Sequence, residues 1–270
     1  MLNKIFVALI AAITLCACVD NRDLSKNIVV AHISSNPDGL HPYNDNSVMR
    51  SFIFEHTQKT LIKLDVSSLE YIPSLAKSLP EISDDGLFYH YELRDDVRWD
   101  DGSELTAKDI EFTTKLQLCP LTDNANVRGN YSSVIKDIIL YPNEPKKFTM
   151  VAFGKNVTNP NIFSEVYIQQ KSHWDPEGIL DDLTFRNIHS DNFKEKKEWS
   201  EWFNAFNHGD NRYQPKRLVG LGPYQISEWE SGSYIIASRK DNWWGDNDTL
   251  IYNQNYPEQF FQFQSNSFFL

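Results

Sequence analysis

The N-terminal segment sets the compartment in which this chain must fold. Residues 5–15 are almost wholly apolar, broken only by Thr14, and Lys4 supplies a positive charge just before them. A run of this length is too short to cross a bilayer as a helix and is typical of the hydrophobic region of a signal peptide. Polar residues 20–23 follow at once, which disfavours a buried core segment. The sequence therefore predicts export.

Two cysteines stand at the end of this segment. The stretch Leu15-Cys16-Ala17-Cys18 resembles a bacterial lipobox, in which the last cysteine is acylated and the chain is cut on its N-terminal side. We expect residues 1–17 to be a signal peptide, Cys18 to carry lipid, and residues 18–26 to form a tether to the inner or the outer membrane. An ordinary secretory signal is the alternative. Only Cys119 would remain, which excludes an internal disulfide and a cysteine metal cluster.

Composition excludes some partners and allows a large core. The chain has 270 residues, 41% of them hydrophobic, and this is enough for one or two domains. Its formal net charge is -11 and it has no Lys/Arg-rich run, so we expect no binding to nucleic acid. Aromatic residues are abundant at 13%, which suits core packing first and a ligand cleft second.

Hydrophobic patterns predict strands and helices in irregular alternation, which indicates a mixed α/β fold. The clearest helix spans 107–118, because Thr106 can cap its start and Asp109 stands at the third helical position, as in a capping box. Further helices are predicted at 48–64, 73–79, 161–170 and 191–207. Strands are predicted at 27–33, 88–93, 134–140 and 147–153, with a hairpin formed by 224–229 and 234–238.

Motifs for catalysis, metals and cofactors are missing from the sequence. It contains no HExxH and no GxSxG, and its seven His residues show no metal-ligand spacing. Gly220-Leu221-Gly222 precedes Pro223, which removes a backbone donor that a phosphate cradle would need. The acidic cluster before Gly102 does not place its acids at the loop positions of a calcium site. We therefore predict no enzyme activity, no metal and no cofactor.

Four stretches in order resemble the family 5 extracellular solute-binding proteins, which are the dipeptide and oligopeptide-binding components of ABC importers. The resemblance covers roughly residues 28–245, and the third stretch is the most specific. The stretches are Pro37-Asp38-Gly39-Leu40-His41-Pro42; Pro73-Ser74-Leu75-Ala76-Lys77-Ser78-Leu79; Tyr91 to Gly102 followed by Leu105-Thr106-Ala107-Lys108-Asp109; and Gly220-Leu221-Gly222-Pro223-Tyr224 with Trp229, Gly232 and Trp243-Trp244-Gly245.

The resemblance implies a class II periplasmic-binding-protein fold, α/β with mixed sheets, whose two lobes close on a ligand. We expect the first lobe to comprise residues 24–56 and 154–250, with residues 57–153 forming a smaller inserted domain. The implied function is the capture of peptides or similar small solutes outside the cytoplasmic membrane for an ABC importer. The implied partners are the permease subunits and a membrane reached through the lipid anchor, and the implied state is a monomer in the periplasm or at the cell surface.

Candidate ligand contacts also come from the resemblance. In the family the loop after the first strand faces the cleft, which singles out Leu40, His41, Pro42 and Tyr43, with plain loop packing as an equal alternative. Gly222 and Tyr224 lie near the family's interlobe side, where glycine lets backbone approach closely. For Tyr224, packing is an equal alternative to ligand contact. The Trp99-Asp100-Asp101-Gly102 stretch is expected to be scaffold.

The chain departs from the family in its length and in residues 251–270, an atypical tail rich in Phe and Gln without clear periodicity. Family members are far longer, so we expect a truncated chain that retains only the first lobe and its inserted domain. A cleft with one wall encloses little of a ligand. A truncated fragment that binds nothing is therefore the alternative function, and a surface hydrolase or adhesin on the same fold is a more distant one.

Overall fold

The computed structural model describes residues 29–33, 39–43, 48–208, 218–230, 233–248 and 261–265. Only the backbone is described at 29–33 and 261–265. The signal peptide, Cys18, the tether and most of the tail lie outside the described residues, as do Pro37 and Asp38.

Strands and short helices alternate along the chain, as the patterns predict. The strands are β1 Val29–Ile33, β2 Ile62–Asp65, β3 Glu70–Pro73, β4 Glu81–Ile82, β5 Phe88–Glu92, β6 Ile135–Leu140, β7 Lys147–Ala152, β8 Tyr224–Glu230, β9 Tyr234–Arg239 and β10 Phe261–Ser265. The helices are α1 Val48–Thr57, α2 Ala107–Leu118, α3 Ala125–Tyr131, α4 Lys171–Trp174, α5 Phe185–Ile188 and α6 Lys197–His208, with a 3-10 helix at Asn159–Ser164.

Within the described residues the strands form three sheets. One has the order β1-β10-β9-β8, one is the β2-β3 hairpin, and one has the order β4-β5-β7-β6. The predicted hairpins β6-β7 and β8-β9 are both antiparallel, each with one register shift. Mixed sheets with helices agree with the predicted α/β class.

Part of the segment predicted to be an atypical tail is a strand. Phe261–Ser265 forms β10, which lies between β1 and β9, parallel to the first and antiparallel to the second. Residues 261–264 read Phe-Gln-Phe-Gln, and this apolar-polar alternation is the signature of a half-buried strand. The neighbouring residues, rich in Phe and Gln, obscure this alternation in the sequence.

Three predicted helices need correction. The helix predicted at 48–64 ends at Thr57, because residues 62–65 pair with β3. The helix predicted at 73–79 does not form. Pro73 ends β3, and the next backbone N–H groups donate to carbonyls of residues 60 and 61 across the chain, so the segment is extended. The helix predicted at 161–170 is replaced by the 3-10 helix at Asn159–Ser164.

The other predicted elements form close to their predicted positions. Helix α2 has the predicted bounds, and its start is capped as expected: the Thr106 backbone N–H donates to Asp109 Oδ2 at 2.8 Å. Asp109 Oδ1 also accepts the Lys171 N–H at 2.8 Å, so one carboxylate ties two segments together. Helix α6 begins at Lys197, later than the predicted 191, and ends at His208.

Buried side chains form two hydrophobic clusters. The smaller one lies between α1 and the β8-β9 hairpin and contains Phe54 and Tyr224. The larger one joins the β4-β5-β7-β6 sheet and α2 to residues 163–206. The larger cluster thus includes residues on both sides of the predicted boundary at 153, and the division into 24–56 with 154–250 and 57–153 stays a prediction.

Candidate ligand-binding site

In the described part of the loop after β1, residues 39–43, all side chains but that of Pro42 belong to buried residues. Leu40 has no exposed surface and packs in the smaller cluster. The His41 ring, equally buried, accepts the Tyr43 backbone N–H at Nδ1 (3.1 Å) and therefore carries its proton on Nε2, which donates to the Phe206 carbonyl at 2.8 Å. Burial raises the pKa of Tyr43, whose hydroxyl donates to Thr113 O at 3.4 Å. Of the four predicted contacts in this loop, only Pro42 is partly exposed.

The second group of predicted contacts packs against the end of α1. The Gly222 N–H donates to Thr57 O at 3.0 Å, and Tyr224 has no exposed surface. A Cβ on Gly222 would lie 2.3 Å from the His56 carbonyl oxygen, and one on Gly220 would lie 2.0 Å from Thr57 O. Both glycines are thus required for close backbone approach. We call this contact, between residues 220–222 and the end of α1, the glycine junction.

Further bonds from the fourth motif hold the glycine junction. The Leu221 carbonyl accepts both indole N–H groups of Trp243 and Trp244, at 2.9 and 3.0 Å. Lys240 Nζ donates to Gly220 O at 2.6 Å and also pairs with Asp100 at 2.6 Å. The last contact connects the third and fourth motifs, so residues far apart in sequence support one backbone segment.

The Trp99 to Gly102 stretch is scaffold in the structure. Trp99 is buried, and Gly102 adopts a φ of 82° in the turn, which favours glycine. Asp101 Oδ2 accepts an amide N–H of Gln170 at 2.8 Å.

Two grooves flank the predicted contacts. The residues that line the aromatic groove, of about 480 Å³, include His173, Trp174, Pro176, Trp202 and Phe206. It touches the first predicted group, because the rings of His41 and Phe206 lie 4.5 Å apart. The polar groove, of about 680 Å³, is lined by Gln58, Lys59, Lys63, Ser74, Ser164 and Tyr167. It begins where the glycine junction ends, since Gln58 Nε2 donates to Val219 O at 3.3 Å.

One lysine that lines the polar groove is almost completely buried. Lys59 is only 8% exposed, and its Nζ lies 5.7 Å from the centre of the Trp243 ring. Burial, together with the charge of Lys63, lowers the pKa of Lys59 to about 7. Burial also lowers the pKa of Lys63, and it raises the pKa of Tyr167 to about 12. The groove therefore holds a buried lysine whose charged form is destabilised.

Sequence reasoning missed the polar groove. Its lysines fall inside the helix predicted at 48–64, where they would have been surface residues. The available signal was the polar run Gln58-Lys59-Thr60 followed by the alternating Ile62 to Asp65, which predicts a break and a strand.

Among the described residues, no group of three or more His, Cys, Asp or Glu side chains is placed to hold a metal ion. None of the helices in this part of the chain has the length and apolar character needed to cross a membrane.

Comparison with solved structures shows the fold class of the chain. The pheromone receptor PrgZ, a structure solved for its mode of peptide binding, matches with a TM-score of 0.67 and 16% identity, over 89% of this chain and 43% of that one. A likeness at this identity shows the fold alone, and it confirms the predicted periplasmic-binding-protein class.

Sequence comparison gives the family. The description "Bacterial extracellular solute-binding proteins, family 5 Middle" matches residues 70–253, and the chain belongs to this family. The oligopeptide-binding protein AppA of Bacillus subtilis is 26% identical over 80% of this chain and 34% of its own length. The glutathione-binding protein GsiB of Escherichia coli O6:K15:H31 is 32% identical over 82% of this chain and 36% of its own length. The chain thus spans about a third of the length of these relatives. They are binding proteins, in agreement with the prediction that the chain is not an enzyme.

The close approach at the glycine junction predicts that alanine substitution has different effects on stability at two glycines. Gly222→Ala should lower the free energy of unfolding by about 2 kcal/mol or more, because the new Cβ would overlap the His56 carbonyl. Gly129→Ala, in α3 with nothing within 4 Å of its Cβ, should be neutral or stabilising by up to about 1 kcal/mol. Urea unfolding of the two variants measures both values. Equal effects of the two changes would contradict the close approach.

The buried Lys59 predicts a pH dependence of stability. Its pKa is lowered in the folded chain, so the unfolded chain binds more protons above about pH 7, and the free energy of unfolding rises with pH through this range. Lys59→Met should remove this rise. Between pH 7 and 8.5 the stability of the wild type should gain about 1–2 kcal/mol relative to the variant.

Urea unfolding at several pH values measures this difference. Lys197→Met, which replaces a side chain that is 82% exposed, should follow the wild-type curve. If Lys59→Met runs parallel to the wild type as well, Lys59 does not have a lowered pKa.

Proposed function

We propose that the chain captures peptides or similar small solutes outside the cytoplasmic membrane and serves an ABC importer through its permease subunits. The observation that carries this proposal is the polar groove of about 680 Å³ beside the glycine junction, a volume within the range of small-molecule sites. Family membership and the names of its relatives, which refer to oligopeptides and glutathione, support the same function.

Only some of the six residues expected to contact the ligand are proposed to touch it directly. The side chains of Leu40, His41, Tyr43 and Tyr224 are buried, so they support the walls of the two grooves. We propose that Pro42 and the backbone around Gly222 make the direct contacts with the ligand. This assignment accounts for the family motifs without requiring buried side chains to reach a solute.

We also propose that Cys18 carries a lipid that anchors the mature chain as a monomer to a membrane of the cell envelope. The support is the Leu15-Cys16-Ala17-Cys18 stretch behind an apolar run. Family 5 proteins are described as extracellular, which agrees with an exported chain.

A fragment that binds nothing is the competing function. It is motivated by the shares of AppA and GsiB that the chain spans, 34% and 36%, and by the limited enclosure that one wall can provide. No residue constellation in the described part favours a hydrolase, and no surface there favours an adhesin.

Calorimetry tests peptide capture. The purified chain should bind members of a pool of di- to tetrapeptides with micromolar affinity or better, and it should bind neither nickel nor maltose. Tight binding of nickel or maltose without peptide binding would contradict the peptide assignment. Absence of binding to every ligand would favour the non-binding fragment.

Detergent partitioning tests the anchor. The chain expressed in a lipoprotein-processing bacterium should enter the detergent phase of Triton X-114, and Cys18→Ser should move it to the aqueous phase. Cys16→Ser is the matched control and should leave the partition unchanged, because Cys16 lies before the cut. Detergent-phase recovery of Cys18→Ser would contradict lipidation at this residue.

A further inference from the structure

The β2-β3 hairpin forms one wall of the polar groove. Its two antiparallel strands make up a sheet of their own within the described part of the chain. The base of the hairpin is anchored, because Ile62 and Ser74 are buried and the Ser74 N–H donates to Leu61 O at 2.9 Å. Residues 64–67, at the far end of the hairpin, line the groove.

The far end of this hairpin exposes apolar side chains. Val66 is 84% exposed, Leu69 is 75% exposed and Leu64 is 43% exposed. We call residues 64–69 the hairpin tip. Single exposed apolar residues are common on protein surfaces, but apolar surface concentrated at one place marks a contact site. Because Leu64 and Val66 also line the polar groove, part of this apolar surface lies at the groove.

The shape of the hairpin tip is fixed by its own hydrogen bonds. The Asp65 carboxylate accepts the Ser67 N–H at 3.1 Å and the Ser68 hydroxyl at 2.9 Å, and the bonds from these two serines lower the pKa of Asp65. The Leu69 N–H donates to Asp65 O at 2.8 Å. A side chain that a fixed turn presents loses little further freedom when a ligand covers it.

Stability alone does not account for the residues of the hairpin tip. Leu69 has a φ of 59°, in the left-handed region that favours glycine and asparagine. Its apolar side chain also lies mostly in water. A strained residue of this kind points to a function rather than to stability. The turn therefore holds apolar side chains outward at a cost to the folded state, as a contact surface does.

The position of the hairpin tip indicates what covers it. A molecule that covers Leu64 and Val66 enters the groove that these residues line. The same tip carries the carboxylate of Asp65, followed by that of Glu70, and these charges disfavour a membrane surface of anionic lipid. Most of the groove lining is polar, so the matching ligand has a polar backbone and an apolar side chain, as a peptide does.

We propose that the hairpin tip selects peptides with an apolar side chain, which Leu64 and Val66 cover while the polar lining of the groove holds the peptide backbone. This inference rests on the proposed peptide-binding function and names the class of peptide. Removing one aliphatic side chain of the ligand from water favours binding by about tenfold or more.

Calorimetry with two uncharged-side-chain tripeptides tests the inference. Trileucine should bind the wild type about tenfold or more tightly than triserine. Val66→Ser and Leu64→Ser should each reduce this preference about threefold or more, because each removes apolar surface from the groove. Val157→Ser is the matched control and should keep the preference, since Val157 is 88% exposed and is not among the described residues that line the groove.

Two outcomes would overturn the inference and leave the proposed function in place. One is binding of both tripeptides with a preference that neither Val66→Ser nor Leu64→Ser changes. The other is self-association of the wild type, measured by sedimentation, that Val66→Ser abolishes, because the hairpin tip would then contact a second copy of the chain.

If neither tripeptide binds, the proposed function fails, and methyl NMR decides the claim about the hairpin tip by itself. N-acetyl-leucine methylamide should shift the labelled methyl signals of Val66 and leave those of Val157 unchanged. Unchanged signals of Val66, or equal shifts at both valines, would overturn the apolar contact at the groove.

Discussion

The glycine junction is the contact on which the rest of the site depends. Gly220 and Gly222 approach the carbonyls of His56 and Thr57 more closely than any side chain would allow. The carbonyl between them accepts two indole N–H groups, which brings Trp243 and Trp244 against the same segment. The end of α1, the turn before β8 and the turn after β9 are thereby held in one place.

This contact explains why a lysine can be buried beside it. Because α1 ends at Thr57 against the junction, the chain turns at Gln58 and directs Lys59 toward Trp243 rather than toward solvent. The cation lies over an aromatic ring, which compensates part of its lost hydration. The cost of burial is expressed as a lowered pKa of Lys59.

Elements whose signal is local could be predicted from the sequence. Predictions were wrong where tertiary contacts decide the secondary structure. Helix α2 was predicted with correct bounds because Thr106 and Asp109 cap it within its own segment. The β6-β7 and β8-β9 hairpins were likewise readable from alternation and turns. The helix at 73–79 was wrong because its N–H groups bond to distant carbonyls, which no local pattern shows. The family resemblance marked Gly222 correctly as a place of close approach, but the polar groove depends on where α1 stops. That position is set by packing against a segment more than 160 residues away in sequence.

Photo-crosslinking shows whether the groove beside the glycine junction holds the ligand. A tripeptide with a free carboxylate and a diazirine in its last side chain would be irradiated with the purified chain, and the linked residues identified by mass spectrometry. We expect linkage to residues of the polar groove, concentrated at 58–67 and 164–167. Linkage concentrated at 173–177 and 202–206, in the aromatic groove, would contradict this assignment.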